Sequence, residues 1–515
     1  MDVFVAALTQ LADPWVIFVI LISCALGLFV GAMPGLTAAM AIALLVPVTL
    51  YMDPIPAIAM MVSVSCMAIF AGDIPSALLR IPGTLASAAY TDEAYAMSQK
   101  GQAEMALGAS VVFSAIGGIL GTFVLVFAAP ELARIAIRFS SFEYFWLVCL
   151  GLSCAVMVGS GSVTKSLISL MLGLIVGMVG MDNPAAFPRL TFGHVNLVAG
   201  IELIAAMVGL FAVSETLRMA SSTTAQALPT FKPKGRILAG QWELTKRYPV
   251  QWLTGSAIGT IIGALPGAGA DIAAWVSYAV NKRFSRTPQL FGKGHPEGLV
   301  SAGAANNAAV SGTWIPALVF GIPGDAITAI VIGVLYLKGL NPGPLIFTQQ
   351  PVEMMSLFIM FFLANILMVP FGVGAIKLSV HILRVPRLLL MPIILIFCII
   401  GAYSITNNPF SILVMLSFGI AGFILIENDF PVAPAILGIV LGPMLEQNFF
   451  NSMIKADGNF LGFFVRPVSM GLGILTLGIW ALMIASSLRA MMARSRSISR
   501  SPPSIGPTAD YRDRP

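Results

Sequence analysis

Charge is scarce in this sequence. Asp, Glu, Lys and Arg make up 10% of its 515 residues, whereas a soluble domain carries about 25%. The shortfall excludes an ordinary water-soluble fold, because it is concentrated in long uncharged runs. These cover 15–50, 54–72, 105–130, 144–164, 248–270, 298–324, 354–376, 388–426 and 467–488. Histidine occurs three times, as His194, His295 and His381, each alone. Cys24, Cys66, Cys149, Cys154 and Cys398 all sit inside apolar runs. Such cysteines are small buried hydrophobes and give neither a disulfide framework nor metal-ligand spacing. With no His pair and no acid–His–Ser cluster, no catalytic residue, cofactor or metal is expected. The net charge of +5 does not mark a nucleic-acid binder, since the cations lie between apolar runs and at the C-terminus.

Apolar side chains are abundant, at 58%. One bilayer crossing takes about 20 apolar residues, so most runs suffice for one crossing and the longest for two. The expected fold is all-α, a polytopic membrane protein with about 10–12 transmembrane helices. The stretch MDVFVAALTQLADPW has two acids and no Lys or Arg, which reads as a retained helix and not a cleaved signal peptide. Cations mark the cytoplasmic side. They gather as Arg218, Lys232, Lys234, Arg236, Lys246 and Arg247, and again as Arg489, Arg494, Arg496, Arg500, Arg512 and Arg514. The expected division is therefore a first membrane repeat 1–216, a basic cytoplasmic linker 217–247 and a second membrane repeat 248–488. A disordered basic cytoplasmic tail 489–515 follows.

Glycine and proline are frequent, 49 and 33 of them, and their placement is echoed. GAMPGLT at 31–37 is answered 232 positions later by GALPGAG at 263–269. IPSALLRIPG at 74–83 is answered 241 positions later by IPALVFGIPG at 315–324. Two motifs in one order at nearly one offset favour internal duplication over chance. The difference between the offsets matches the long polar loop 281–298 beside its short counterpart 51–56. The long loop carries Lys282, Arg283, Arg286 and Lys293 against Glu297, and its counterpart only Asp53. Inverted repeats show such asymmetry, because their equivalent loops face opposite sides. If linker and tail are both cytoplasmic, the second half crosses an even number of times; an extra helix at 467–488 reconciles that with inversion.

Proline and glycine break helices, and broken backbone at membrane depth persists only where protein or a water-filled cavity covers it. Broken helices or re-entrant hairpins at matching positions point to a transporter's binding site. Half-helix N-termini suit a carboxylate, and freed carbonyls suit Na⁺. The candidate substrate and ion pathway is Pro34, Gly35, Thr37, Pro82, Gly83 and Thr84 in the first half. In the second it is Pro266, Gly267, Asp271, Asn306, Asn307, Ser311, Thr313, Pro323, Gly324 and Asp325. Asp271 and Asp325 fit either ion ligands or helix caps, and Thr84 holds the position equivalent to Asp325. The adjacent amides Asn306 and Asn307 offer donors and acceptors where water is scarce. Asp73, Ser76 and Ser87 add polar groups near the first-half breaks. Arg80 either meets a substrate carboxylate or snorkels; Lys165 and Glu202 read as structural.

Four stretches together resemble a known family. They are GAMPGLTAAMAIALLVP, AGDIPSALLRIPGTLASAAYTDEAYAMSQKGQAEMALGAS, GALPGAGADIAAWVSYAVNKRFS and HPEGLVSAGAANNAAVSGTWIPALVFGIPGDAITAIVIG. From about residue 15 to about residue 487 the chain is similar to the large membrane subunit of the tripartite tricarboxylate transporters, the TctA family. The resemblance implies the translocation subunit of a bacterial secondary transporter in the inner (cytoplasmic) membrane. It implies two partners, a small four-helix membrane subunit and a periplasmic solute-binding protein that captures an organic acid. Uptake would be driven by a Na⁺ or H⁺ gradient without an ATPase, by elevator-like alternating access or by rocking of the halves. Where the family pattern reads Asp-Gly-Tyr-Pro after the first IPG, this sequence has Asp92-Glu93-Ala94-Tyr95-Ala96. The competing readings are a membrane enzyme, for which no catalytic constellation is present, and a channel-type subunit, whose filter is usually built from identical subunits around an axis.

Overall fold

The computed structural model describes residues 2–158, 162–181, 187–221, 235–385 and 387–498. Linker residues 222–234, with Lys232 and Lys234, and the tail beyond 498 lie outside them. The regular structure is helical, with no strand among the described residues.

Prolines and small polar residues set the helix starts in the first half. After α1 (Asp2–Leu11), Asp13 caps the Trp15 amide and Pro14 opens α2 (Pro14–Ala32). That helix stops at a turn holding Gly35 at φ 94°, a left-handed value that glycine adopts without strain. Thr37 then caps α3 (Ala38–Thr49). Next, α4 (Pro54–Ala71) leads directly into α5 (Asp73–Leu79). Beyond the break at 80–86 come α6 (Thr91–Gln99), α7 (Ala103–Ala136), α8 (Ser141–Val158) and α9 (Val163–Gly177). Then α10 (Leu203–Val208) and α11 (Ser214–Ser221) are joined through a π-helical turn into one membrane-length helix.

The second half opens with α12 (Gln241–Arg247) and α13 (Pro249–Gly263). A turn at 264–268, with Gly267 at φ 81°, separates α13 from α14 (Gly269–Phe284). The buried α15 (Pro296–Phe320) ends on Gly321 at φ 68°, and α16 (Ala326–Leu337) starts at the Asp325 cap. The remainder is α17 (Ile346–Gln349), α18 (Pro351–Ile382), α19 (Arg387–Thr406), α20 (Pro409–Glu427), α21 (Val432–Lys455) and α22 (Pro467–Ile498). Ten residues of the tail expected to be disordered, 489–498, are thus helix.

Helices are interrupted at all four proline–glycine motifs. Among the described residues eight helices are long and apolar enough to cross a bilayer. The apolar α8 and α19, of 18 and 20 residues, reach a similar length, and four further apolar helices are shorter: Asp2–Leu11, Ala38–Thr49, Val163–Gly177 and Ala326–Leu337. Apolar runs that would span if continuous are cut into pieces such as the 12-residue α3 and α16.

The core is built on close helix contacts that repeat at the two sequence offsets. A Cβ on Gly31 would stand 2.3 Å from Ala68 O, and one on Gly263 would stand 2.4 Å from Ala309 O. One turn earlier, a Cβ on Gly27 would come within 2.9 Å of Val64 O, and one on Gly259 within 2.4 Å of Ala305 O. Thus α2 lies on α4 as α13 lies on α15, through the same pairs of positions. At the centre Asn307 of α15 donates to the Cys66 carbonyl of α4 at 3.1 Å, across a separation of 241 residues. Between α7 and α18, Phe123 meets Phe362, Gly118 faces Asn365 and Val111 faces Gly372. One number falls as the other rises, so the two helices run antiparallel. Each half also completes the other: α21 packs on α8 and α9, while α10 and α11 pack on α19 and α20. The final helix, α22, lies outside this exchange and rests mainly on α8.

These contacts leave no space for side chains. Replacing Gly263 with leucine should destabilise the protein by about 3 kcal/mol or more through overpacking. Gly374→Ala, where a Cβ meets nothing within 4 Å, should leave the unfolding midpoint in detergent unchanged or raised. Equal midpoints for the two variants would contradict the packing described.

Candidate functional site

Two of the breaks are built alike. The Ser87 amide donates to Thr84 Oγ1 at 3.0 Å, and the Thr84 amide donates to Ser87 Oγ at 3.1 Å. In the second half the Thr328 amide donates to Asp325 Oδ1 at 2.8 Å, and the Asp325 amide donates to Thr328 Oγ1 at 2.9 Å. This is a reciprocal cap, and the two pairs are 241 positions apart. Asp325 therefore caps α16 through one carboxylate oxygen. Its Oδ2 faces the start of α14, where a Cβ on Gly269 would lie 3.7 Å away.

Asp271, in the first turn of α14, faces Asp325 and the Ala86 backbone amide. Trp275, one turn on, donates its indole N–H to the Leu85 carbonyl at 3.1 Å. The first-half loop 84–87 and the second-half segments 267–271 and 325 thus form one junction. Small residues make it possible. A Cβ on Gly267 would sit 2.6 Å from Ala155 Cα, and one on Gly83 would sit 2.5 Å from Gly72 Cα. Pro266 rests on Gly151, and Gly324 is backed by Thr313.

Among the described residues no Lys, Arg or His forms an ion pair with Asp271 or Asp325. Each carboxylate lies at a helix N-terminus, where the helix dipole favours negative charge. Placed together, they repel each other when both are charged. The junction also opens outward, with Leu85 60% and Trp275 50% exposed.

The structure joins Thr84, Gly267, Asp271 and Asp325 here, with Gly83, Pro266 and Gly324 behind them. Pro82 is exposed and Pro323 buried. Pro34, Gly35 and Thr37 form their own turn, in which a Cβ on Gly35 would meet Met219 Cγ at 3.9 Å. Asn306, Asn307, Ser311 and Thr313 are not at the junction surface but buried among helices. Asn306 donates to the Tyr90 hydroxyl at 3.1 Å, Ser311 to the Gly118 carbonyl at 3.3 Å and Thr313 to the Val310 carbonyl at 2.8 Å. Arg80 pairs with Asp92 at 2.9 Å, both well exposed. Lys165 and Glu202 are structural: the first binds the Asn428 carbonyl, and the second caps α10. Thr328, Ala86, Tyr90 and Glu93 were not among the candidates. Thr328 stands at the second offset from Ser87, and that offset alone would have paired them.

The sequence pattern described as "Tripartite tricarboxylate transporter TctA family" matches residues 17–437. The chain belongs to that family. An "Uncharacterized 52.8 kDa protein in TAR-I ttuC' 3'region" of Agrobacterium vitis is 34% identical over 482 residues, 94% of each chain. An "Uncharacterized protein in TAR-II ttuC' 3'region" of the same organism is 38% identical over 219 residues, 42% of this chain and 90% of that one. No solved structure matches the chain.

In this TctA-family chain the departing segment Asp92–Ala96 lies in α6. Glu93 is fully buried and holds the long polar loop of the other half. It accepts from the Gly294 amide at 2.7 Å, the His295 amide at 2.8 Å and the Tyr278 hydroxyl at 3.0 Å, and also from the Gly292 amide. Glu93→Ala leaves those donors unmatched and should cost about 3 kcal/mol. Trypsin should then cut faster at Lys282, Arg283, Arg286 or Lys293. Unchanged digestion would show that Glu93 does not hold the loop.

Proposed function

We infer that this chain is the large transmembrane subunit of a binding-protein-dependent secondary transporter that imports tricarboxylates or related organic acids. A Na⁺ or H⁺ gradient drives the uptake. Its partners are a small four-helix membrane subunit and a periplasmic solute-binding protein, in the bacterial inner membrane. Family membership supports transport as the activity. The observation that carries the mechanism is the junction, where loop 84–87 of one half meets Asp271 and Asp325 of the other.

The electrostatics of that junction favour coupling. An acid anion approaching two carboxylates with no basic partner is repelled by about 4 kcal/mol per charge pair at 4 Å and an effective dielectric of 20. A cation bound to the carboxylates removes that repulsion, and the anion can then meet backbone amides at helix N-termini. Each ligand thus raises affinity for the other, as symport requires.

The recurring contacts support reading the halves as inverted repeats. Positions equivalent in sequence touch at the centre, as Cys66 and Asn307 do, and the equivalent helices α7 and α18 cross antiparallel. A two-fold axis lying in the membrane plane produces both features. Exchange of the two halves' conformations about that axis is alternating access. The junction at the helix breaks is the part suited to travel, elevator-like, against the interlocked α8–α9 and α19–α20 hairpins.

Proteoliposomes holding the complete transporter should take up acid only with loaded binding protein and a cation gradient. Collapsing both Na⁺ and H⁺ gradients should stop uptake, and continued uptake would refute the reading. Asp271→Asn and Asp325→Asn should each lower uptake about tenfold or more, about 1.4 kcal/mol. Asparagine still caps a helix, so the Asp325→Asn unfolding midpoint should stay near wild type. Wild-type rates in both variants would remove these carboxylates from the pathway.

A further inference from the structure

Next to the junction is a polar cluster that the proposed pathway does not use. Asp73 opens α5 and is 0% exposed. The Tyr90 hydroxyl donates to Asp73 Oδ1 at 2.6 Å and accepts from Asn306 Nδ2 at 3.1 Å. Ser110 of α7 lies beside the carboxyl group. Asn306 Oδ1 has no hydrogen-bond partner, and Asp73 Oδ2 and Ser110 Oγ have none beyond the pairing of Ser110 with the carboxyl group. Every member is buried to 1% exposure or less. Gly72, the residue before Asp73, touches Gly83 and Thr84, so the cluster adjoins the first-half break.

No Lys, Arg or His among the described residues forms an ion pair with Asp73. Of the titratable groups on the elements packed against α5, Tyr90 reaches the carboxyl. The others are engaged elsewhere: Asp92 with Arg80, which also lies over Tyr95, Glu93 with the 292–295 loop, Glu104 with the Gly235 amide and Glu131 with Arg134, while Cys24 lies beside Ser63 and Cys66 is a buried thiol. An anion enclosed this way lacks a counter-charge, and an intramembrane ion in that state is strongly disfavoured. A proton removes the charge without needing space. A metal cation would need a larger shell of oxygens than Asp73 Oδ2, Ser110 Oγ and Asn306 Oδ1 supply, since the Tyr90 hydroxyl is already used as both donor and acceptor.

We propose that Asp73 is a proton-binding site, occupied while α5 is buried, and that this proton is coupled to transport together with the cation held by Asp271 and Asp325. The coupling half rests on the transporter reading above. When movement at the neighbouring break admits water, the carboxylic O–H bond breaks, the proton passes to water and the carboxylate is left hydrated. The empty return is made with the carboxylate still hydrated, and a proton is taken up from water on the other side before α5 is buried again, so the loaded and empty movements differ by one proton.

Infrared difference spectroscopy between acid and alkaline pH, on the purified chain in lipid, tests the site directly. Wild type should show the carbonyl stretch of a buried protonated carboxyl group. Asp73→Asn should abolish it, and Asp271→Asn and Asp325→Asn should retain it. Tyr90→Phe should keep the band but raise its frequency, because the carbonyl oxygen loses a donor; this variant decides the matter if Asp73→Asn does not fold. A band unchanged in Asp73→Asn, unmoved in Tyr90→Phe, or removed when NaCl replaces choline chloride at constant pH would overturn the proposal, the last by showing a Na⁺ site. In the complete transporter Asp73→Asn should lose uptake driven by a pH gradient while exchanging acid across the membrane at the wild-type rate; gradient-driven uptake at the wild-type rate would overturn the coupling. Absence of acid transport by the wild-type complex would instead refute the transporter reading and leave the infrared result standing.

Discussion

A helix that stops inside a hydrocarbon slab must satisfy its backbone polar groups with something other than water. The organisation of this chain follows from that constraint. Each proline–glycine break is met by another piece of protein: Gly267 by Ala155, Gly83 by Gly72, Gly324 by Thr313. Three of the four restarts are capped from within, by Thr37, by the Thr84–Ser87 pair and by the Asp325–Thr328 pair, while α14 has no side-chain cap. Because side chains larger than hydrogen would force these partners apart, glycine stands at the closest approaches.

The same constraint explains why the halves interlock. A short helix such as α3 or α16 cannot hold its place in a bilayer by length alone, since 12 residues span about 18 Å. It depends on its neighbours. The hairpin α8–α9 of one half supports α21 of the other, and α19–α20 supports α10 and α11. In the elevator-like mechanism proposed above, this crossed support is the fixed frame, the broken segments are the part that travels, and Glu93, which holds a loop of the opposite half, belongs to the frame.

Much of this was legible in the sequence because it depended on local chemistry. Pro34 and Pro266 within glycine-rich turns predicted where helices stop, and the offsets predicted which positions correspond, including Thr84 with Asp325. Features set by long-range contact were not legible. Asn306 and Asn307 look alike in sequence, yet one binds Tyr90 and the other the Cys66 carbonyl, both buried. Nothing in the sequence gives Glu93 its four donors, three of them main-chain amides about 200 positions away.

The central claim is that the break junction holds the acid. A density map of the complete transporter in lipid, with citrate as the trial acid and with Na⁺ or low pH supplied, addresses it most directly. The account predicts carboxylate density against the backbone of residues 84–87 and the start of α14, next to Asp271 and Asp325. Citrate seated elsewhere, with the 84–87 loop and the start of α14 empty and unmoved, would contradict it.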